Sequence, residues 1–393
     1  MKIEIHGGQF ANKGARKMLI TVVDWLRNEF SDCEIYADRC VGSVEELESL
    51  GLIPLSIKRG WMGSNRFNRG FRMQKLFAFI DSIFPTHFLG IKNISDIDVL
   101  IDISGYAFTA KWGVKPSKDF SHLAHWYKSK NKIVVMLPQA FGPFNSEISP
   151  HIARIINSSD LIFARDKVSK NNLSDVAEQN LGNIFLAPDI TISSGRTDKK
   201  LLNSSTDKKI AIVPNKRMLD RSSDFWKQNY INYLSEIIST SESNKATVEL
   251  VVHDSSGDDL EVARELSLKF GLSVIELDDP FKLKSVLSDY LFVVGSRYHA
   301  LVAALSNSTP VIALGWSHKY DELLADFEVS EFIINEELPK LQMKKLVSSL
   351  FNLNTNNLIR ETLEKTAKEK EIENRAMFQK VSFHLTKTMK NSL

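Results

Sequence analysis

"VVGSRYHALVAALSNSTPVIALGWSHKYDEL" (residues 293–323) decides how this chain is read. An apolar run ends at Gly295. Arg297 and His299 follow with one residue between them, then an apolar helical pattern, then a second apolar run ending at Gly315. Short, wholly apolar runs bounded by glycine suit strands buried on both faces of a sheet. A strand, a helix and a strand in close succession make a parallel α/β unit. Ligands of such sheets sit beyond the carboxyl ends of the strands. Arg297 and His299 fall at that place, beside the first free amides of a helix. The helix dipole there favours an exposed anion by about 0.3–1 kcal/mol, and an arginine fork matches a carboxylate or a phosphate. Lys319 follows the next strand end, near another helix start, where a lysine does nothing for helix stability. Alone, the Arg-x-His pair would be a cap or a packing contact. Two neighbouring strand ends that both carry bases point instead to a small, multiply charged anion.

Working outward, the same alternation fills the chain. "KIEIH", "CEIYA", "DVLIDIS", "KIVVMLP", "LIFARD" and "NIFLAPD" read as strands of a first half. "KIAIVPN", "TVELVVHD", "SVIELDD", "LFVVGS", "PVIALG" and "FIIN" read as strands of a second. Ala15, Met18, Leu19, Val22, Val23, Leu26 and Phe30 recur at helical spacing after the first strand. The polar stretch 193–209 separates the halves. We therefore expect an α/β protein of two Rossmann-like domains with a cleft between them. The expected boundaries are 1–195, a linker 196–208, a second domain 209–340 and C-terminal helices 341–393.

The 393 residues and 43% hydrophobic content allow two cores. A net charge of +2 argues against general nucleic-acid binding. Two cysteines, Cys33 and Cys40, exclude a disulfide scaffold or a cysteine-rich zinc site and fit a cytoplasmic home. "MKIEIHGG" has no secretory h-region, and no apolar run is long enough to span a membrane.

Other strand ends carry candidate groups. In "HGGQFANKGARKML" (6–19), Gly7, Gly8 and Gly14 permit a tight turn and a close approach of backbone to a ligand. Their spacing is not that of the dinucleotide fingerprint. "DISGYAF" places Asp102 inside a strand, as a base for a sugar hydroxyl or as a structural cap. "LPQAFGPF" ends a strand at Gln139, and "ARDKVSKNNL" another at Arg165, which could meet an anion or pair with Asp166. His122 and His125 in "SHLAHW" have helical metal spacing but lack a third ligand, so packing or surface is the better reading. The segment 58–75 carries Lys58, Arg59, Arg66, Arg69, Arg72 and Lys75 among Trp61, Phe67 and Phe71, without an acid. It suits nucleic acid, an anionic membrane surface or a lipid-diphosphate carrier, or is a solvated loop.

Taken in order, "NKGA", "LPQAFGPF", "ARDKVS", "APD", "HDSSGDD" and "GSRYHALVAAL" with "PVIAL" and Lys319 resemble the polysaccharide pyruvyl transferase family. Ala15 departs from the aspartate many members carry, and Leu137-Pro138 replace the usual small residue and glycine. The resemblance implies a GT-B-like fold and phosphoenolpyruvate as donor substrate, with no cofactor. It implies a pair of hydroxyls on a glycan or lipid-linked sugar as acceptor, and a pyruvate ketal plus phosphate as products. The first domain would take the acceptor and the second the donor. Arg297 and Lys319 would hold the donor, and His299 would protonate its methylene. Asp102 would act as base, and Asn12, Gly14, Gln139 and Arg165 would bind substrate. No metal is implied. The expected setting is cytoplasmic, with peripheral contact at the inner membrane face through 58–75. The rivals are a GT-B glycosyltransferase using a nucleotide sugar and a non-catalytic glycan- or lipid-carrier-binding protein.

Overall fold

The computed structural model describes residues 1–55, 96–177, 181–195, 208–254 and 258–390. The basic stretch 58–75 and the expected linker, except Lys208, lie outside the described residues. The chain divides into two units. One holds 1–10, 18–188 and 376–393, the other 11–17 and 189–375.

The first unit is a parallel sheet of seven strands: β1 (Lys2–His6), β2 (Glu34–Ala37), β3 (Ile53–Pro54), β4 (Val99–Asp102), β5 (Ile133–Gln139), β6 (Leu161–Ala164) and β7 (Ile184–Leu186). Their spatial order is β3-β2-β1-β4-β5-β6-β7. Successive strands run outward in both directions from β1 and β4, so the topological switch point lies between those two. The register there pairs His6 with Asp102. β4 and β5 are buried along their whole length, as their apolar runs require. The helices are most of α1 (Lys13–Glu29), then α2 (Val44–Ser49), α3 (Lys115–Ser129), α4 (Ser149–Ser158) and α5 (Lys167–Val176). α2 starts with a full capping box between Ser43 and Glu46, and Asp166 caps α5 through the Ser169 amide. Phe108 packs on Phe120 and Phe141 at centroid distances of 5.3 and 5.9 Å in the core. β3 escapes a reading by periodicity because it is two residues long and contains Pro54, which an edge strand tolerates.

The second unit repeats the plan with six parallel strands: β8 (Lys209–Val213), β9 (Thr247–Val252), β10 (Ser273–Glu276), β11 (Val293–Gly295), β12 (Val311–Leu314) and β13 (Ile333–Ile334). Their order is β10-β9-β8-β11-β12-β13, so this sheet switches between β8 and β11. Its helices are α6 (Arg217–Asp220), α7 (Asp224–Ser243), α8 (Asp258–Phe270), α9 (Pro280–Leu287), α10 (Tyr298–Ser306), α11 (His318–Asp326), α12 (Lys340–Ser349) and the greater part of α13 (Leu353–Lys390). α13 is the single long helix into which the strandless C-terminal segment folds. Arg360, fully buried, fastens it. Its guanidinium donates to the carbonyls of Tyr290 and Leu291 and to Asn356. Burial lowers its pKa to about 10. Among the described residues, no helix is long and apolar enough to cross a membrane.

Candidate active site

The second unit gathers its polar residues at the switch point between β8 and β11. Tyr320 Oη and Asn215 Nδ2 both donate to the Ser296 carbonyl, at 2.7 and 2.6 Å. Tyr230 Oη lies 2.6 Å from Ser296 Oγ. This frame fixes the turn from which α10 departs. Arg297 is the N-cap residue of α10, no side chain caps the helix, and its first turn holds no acid. The arginine is mostly buried in carboxylates. Nε and Nη2 donate to the two oxygens of Asp259 at 2.7 and 2.6 Å, and Nη2 lies 3.2 Å from Asp254. Burial alone would lower the guanidinium pKa, but Asp259 and then Asp254 reverse the sign and raise it. Arg297 thus anchors β11 to α8 with the fork expected to meet the donor, leaving Nη1 outside those contacts.

His299 occupies the second position of α10, and its Nε2 lies 3.6 Å from Asp189 Oδ2. Asp189 is held by Thr191, whose amide and hydroxyl both bond Oδ1, at 2.9 and 2.6 Å. The ring of His299 also explains Gly14. A Cβ on Gly14 would stand 2.2 Å from His299 Nδ1 and 2.4 Å from Cγ. Asn12 caps the helix that Gly14 sits in, accepting from the amides of Gly14 and Ala15 at 3.0 and 3.1 Å, and bridges to Asp254 in the backbone. The start of α1 therefore lies against α10 and the end of β9.

Three more groups join this cluster. Lys13 donates to the Val252 carbonyl at 3.2 Å, and burial lowers its pKa against the pull of Asp278, Asp254 and Asp259. Lys17 is buried and its pKa falls to about 8. Burial is the main cause, opposed by the neighbouring Lys284 and by Asp189. His253, at the end of β9, is buried with no partner on Nδ1 among the described residues. Burial, then the charges of Arg297, His299, Lys13 and Lys17, push its pKa well below the usual value. Burial and the charges of these four side chains thus both favour a neutral His253 imidazole. Lys319, in the first turn of α11, instead has its ammonium over the rings of Tyr320, Trp316 and Tyr298, at 5.1, 5.2 and 5.7 Å.

The first unit holds a second cluster, at the β1/β4 switch point. Asp102 is fully buried and accepts from three directions. Its Oδ1 lies 2.6 Å from His6 Nδ1 and 2.7 Å from Ser104 Oγ, and its Oδ2 accepts from Gln139 Nε2 at 2.6 Å. Gln139 is itself buried, and its Oε1 has no partner among the described residues. Arg165 is buried at the end of β6, with its amide on the Gln139 carbonyl at 2.9 Å. Gly7 makes the corner after His6 possible. Its φ is +91°, and a Cβ there would meet the Ser104 amide nitrogen at 2.6 Å.

Of the eight site residues read from the sequence, His299, Arg297, Lys319, Asn12 and Gly14 belong to the second unit, while Asp102, Gln139 and Arg165 belong to the first. Reasoning from strand ends passed over His6, Lys13, Lys17, Asp189, His253 and Asp259 as site residues. "APD" and "HDSSGDD" contained three of them, and their place after strands was the available signal. His122 lies 3.2 Å from Arg154 with its ring tilted 57° to that of His151 at 6.4 Å, and burial lowers the pKa of both imidazoles. Among the described residues, no group of three or more His, Cys, Asp or Glu side chains is arranged to hold a metal.

Comparison with known proteins agrees with this plan. Solved structures share the two-sheet GT-B-like architecture at low identity. S. aureus MnaA in a co-structure with UDP has a TM-score of 0.61 at 11% identity, over 98% of this chain and 96% of that one. A putative UDP-N-acetylglucosamine 2-epimerase from Listeria monocytogenes gives 0.59 at 14%, over 98% and 96%. Anabaena Alr3699/HepE in complex with UDP and glucose gives 0.57 at 12%, over 98% and 100%. No curated protein matches the chain in sequence. The model of the polysaccharide pyruvyl transferase family matches residues 12–318, from the Asn12 cap to the start of α11. The chain belongs to the polysaccharide pyruvyl transferase family and is a transferase acting on a polysaccharide or sugar.

Proposed function

We propose that this enzyme transfers the pyruvyl group of phosphoenolpyruvate to a pair of hydroxyls on a glycan or lipid-linked sugar, forming a ketal in cell-surface polysaccharide synthesis. The observation that carries the reading is that Lys13 bonds the Val252 carbonyl, Arg297 pairs with Asp254 and the His299 ring stands against Gly14, all beside the uncapped start of α10. A donor with one carboxylate and one phosphate suits that concentration of positive charge.

The reaction balances without a redox step. One sugar hydroxyl oxygen attacks C2 of the donor while the C2=C3 electron pair takes a proton at C3, making the methyl group. The second hydroxyl then attacks C2, the bond to the phosphate oxygen breaks, and phosphate leaves with the remaining proton. His299 is assigned the C3 proton, with the Asp189 carboxylate attracting the charged ring across 3.6 Å. Arg297 is assigned less to direct donor binding than to holding α10 in place. The fit to phosphoenolpyruvate and to a sugar acceptor rests on charge and family membership together.

The test is thermal stability of the full chain with phosphoenolpyruvate and, separately, with UDP-sugars. A ligand at ~100 times its Kd adds about 2.7 kcal/mol. Stabilisation by phosphoenolpyruvate, retained in His299→Ala while turnover is lost, is the expected result. Stabilisation by a UDP-sugar alone would replace this reading with a glycosyltransferase. Membrane association lost at high salt, with no response to either donor, would favour a non-catalytic carrier-binding protein.

A further inference from the structure

We infer that His6 is the catalytic base of the acceptor side, and that Asp102 acts through it. The inference rests on the proposed pyruvyl transfer and supplies the residue that takes the acceptor's proton. Asp102 alone is badly placed for that task. It is fully buried, and both of its oxygens already accept hydrogen bonds, from Ser104 and Gln139 as well as from His6. His6 has the opposite character. Its side chain is 28% exposed, and its Nδ1 is tied to Asp102 at 2.6 Å. A carboxylate on Nδ1 holds the proton there and leaves Nε2 as the basic nitrogen. No described residue hydrogen-bonds that Nε2.

The surroundings aim the ring. Phe120 of α3 packs beside it at 5.1 Å. Gln139 is held at the end of β5 and keeps Asp102 Oδ2 occupied, so that Oδ1 is the oxygen left for His6 and Ser104. His6 and Asp102 are register partners on β1 and β4, which puts the pair at the switch point of the sheet, where α/β sheets take their ligands. The corner after it turns on Gly7, at φ +91°.

In the reaction, His6 Nε2 takes the proton of the attacking sugar hydroxyl. That proton leaves with the phosphate, and the proton of the second hydroxyl replaces the one that His299 gives to C3. Asp102 is a positioning residue.

The experiment uses the full chain and three variants, His6→Ala, Asp102→Asn and Ser129→Ala, the last a control on the surface of α3. The acceptor probes are methyl galactosides, glucosides and mannosides, which all offer hydroxyl pairs. Turnover is read as phosphate released from phosphoenolpyruvate, and donor binding as the donor's thermal stabilisation. His6→Ala should lose about 10²–10⁴ in kcat, keep the donor's stabilisation, and recover turnover when free imidazole is added. Asp102→Asn, which keeps the shape, should lose less and gain nothing from imidazole. A His6→Ala enzyme with wild-type kcat, or with a loss that imidazole leaves untouched, overturns the inference while the proposed function stands. If the wild type releases no phosphate with any probe, the proposed function fails. The dyad is then judged by nitrogen-15 NMR of histidine-labelled protein. A shift of the His6 Nε2 signal on adding the glycosides supports contact with sugar hydroxyls, and an unmoved signal overturns it.

Discussion

Gly14→Ala separates two physical effects that oppose each other. Gly14 lies inside α1 at an ordinary helical φ, so helix propensity alone favours alanine by about 1 kcal/mol. The position is crowded, however. The new Cβ would fall 2.2 Å from Nδ1, 2.4 Å from Cγ and 2.8 Å from Cβ of His299. Turning the ring about χ1 relieves the first two contacts but not the third, because the His299 Cβ is fixed to the backbone of α10. Either that backbone or the start of α1 must give. Overpacking of this kind costs about 1–3 kcal/mol, so the net change in stability is about 0–2 kcal/mol of loss. That is a fall in Tm of up to about 8 °C. The chemistry should suffer more, since about 1 Å of misplacement can remove about 10² in rate. We expect a folded Gly14→Ala enzyme with kcat at least about 10²-fold down, measured as acceptor-dependent phosphate release. A variant with raised Tm and unchanged kcat would refute the packing argument and the place of His299 in it.

Arg297→Ala leaves Asp259 buried without its partner, which costs about 3–5 kcal/mol. Its Tm should drop well beyond that of His299→Ala, and Arg297→Lys should restore little because the two-pronged contact with Asp259 is lost. Lys17 has a folded pKa near 8, below the 10.5 of an unfolded lysine. The unfolded chain therefore holds more protons between about pH 8 and 10.5, and stability should rise with pH across that window. Lys17→Met should raise Tm at neutral pH and flatten that rise in a pH series of melts, while weakening stabilisation by phosphoenolpyruvate. His253 has a folded pKa well below 6.5, so stability should fall as pH drops below 6.5 and the unfolded imidazole takes up its proton. His253→Gln should remove that acid-side loss.

The sequence carried the fold well because each buried strand announces itself. Runs such as "KIVVMLP" and "PVIALG" are apolar on both faces, and the structure buries them on both. Arg297 and His299 were legible for the same reason, as charged residues directly after such a run. Lys13 and Lys17 were not. They lie four apart on a helix, and periodicity reads charges on one face as a solvated stripe, whereas here both are buried. His6 and Asp102 stand 96 positions apart. Only the register of β1 on β4 brings them together, and one chain's periodicity contains no register between strands distant in sequence. Asp189 was hidden by its setting, a Pro-Asp at the edge of a polar stretch.

Each switch point carries an imidazole beside a buried carboxylate, and the two distances suit different duties. His6 and Asp102 touch at 2.6 Å, through Nδ1. A hydrogen bond that short fixes the tautomer and the ring's direction, and it leaves the outer nitrogen basic, which is what a proton acceptor requires. His299 and Asp189 stand 3.6 Å apart, through Nε2. That separation is too long for a hydrogen bond and fixes no tautomer, but it still attracts a protonated ring. Under the proposed ketal formation, one hydroxyl must lose a proton and a carbon must gain one. Two titratable groups with opposed surroundings are the usual way a protein divides acid from base. Removing the charge of each carboxylate should therefore give a different defect. Asp189→Asn should depress proton delivery to C3, seen as a larger solvent isotope effect on methyl formation, and Asp102→Asn should depress only the acceptor-dependent step. Equal isotope effects in the two variants would show that the imidazoles share one duty.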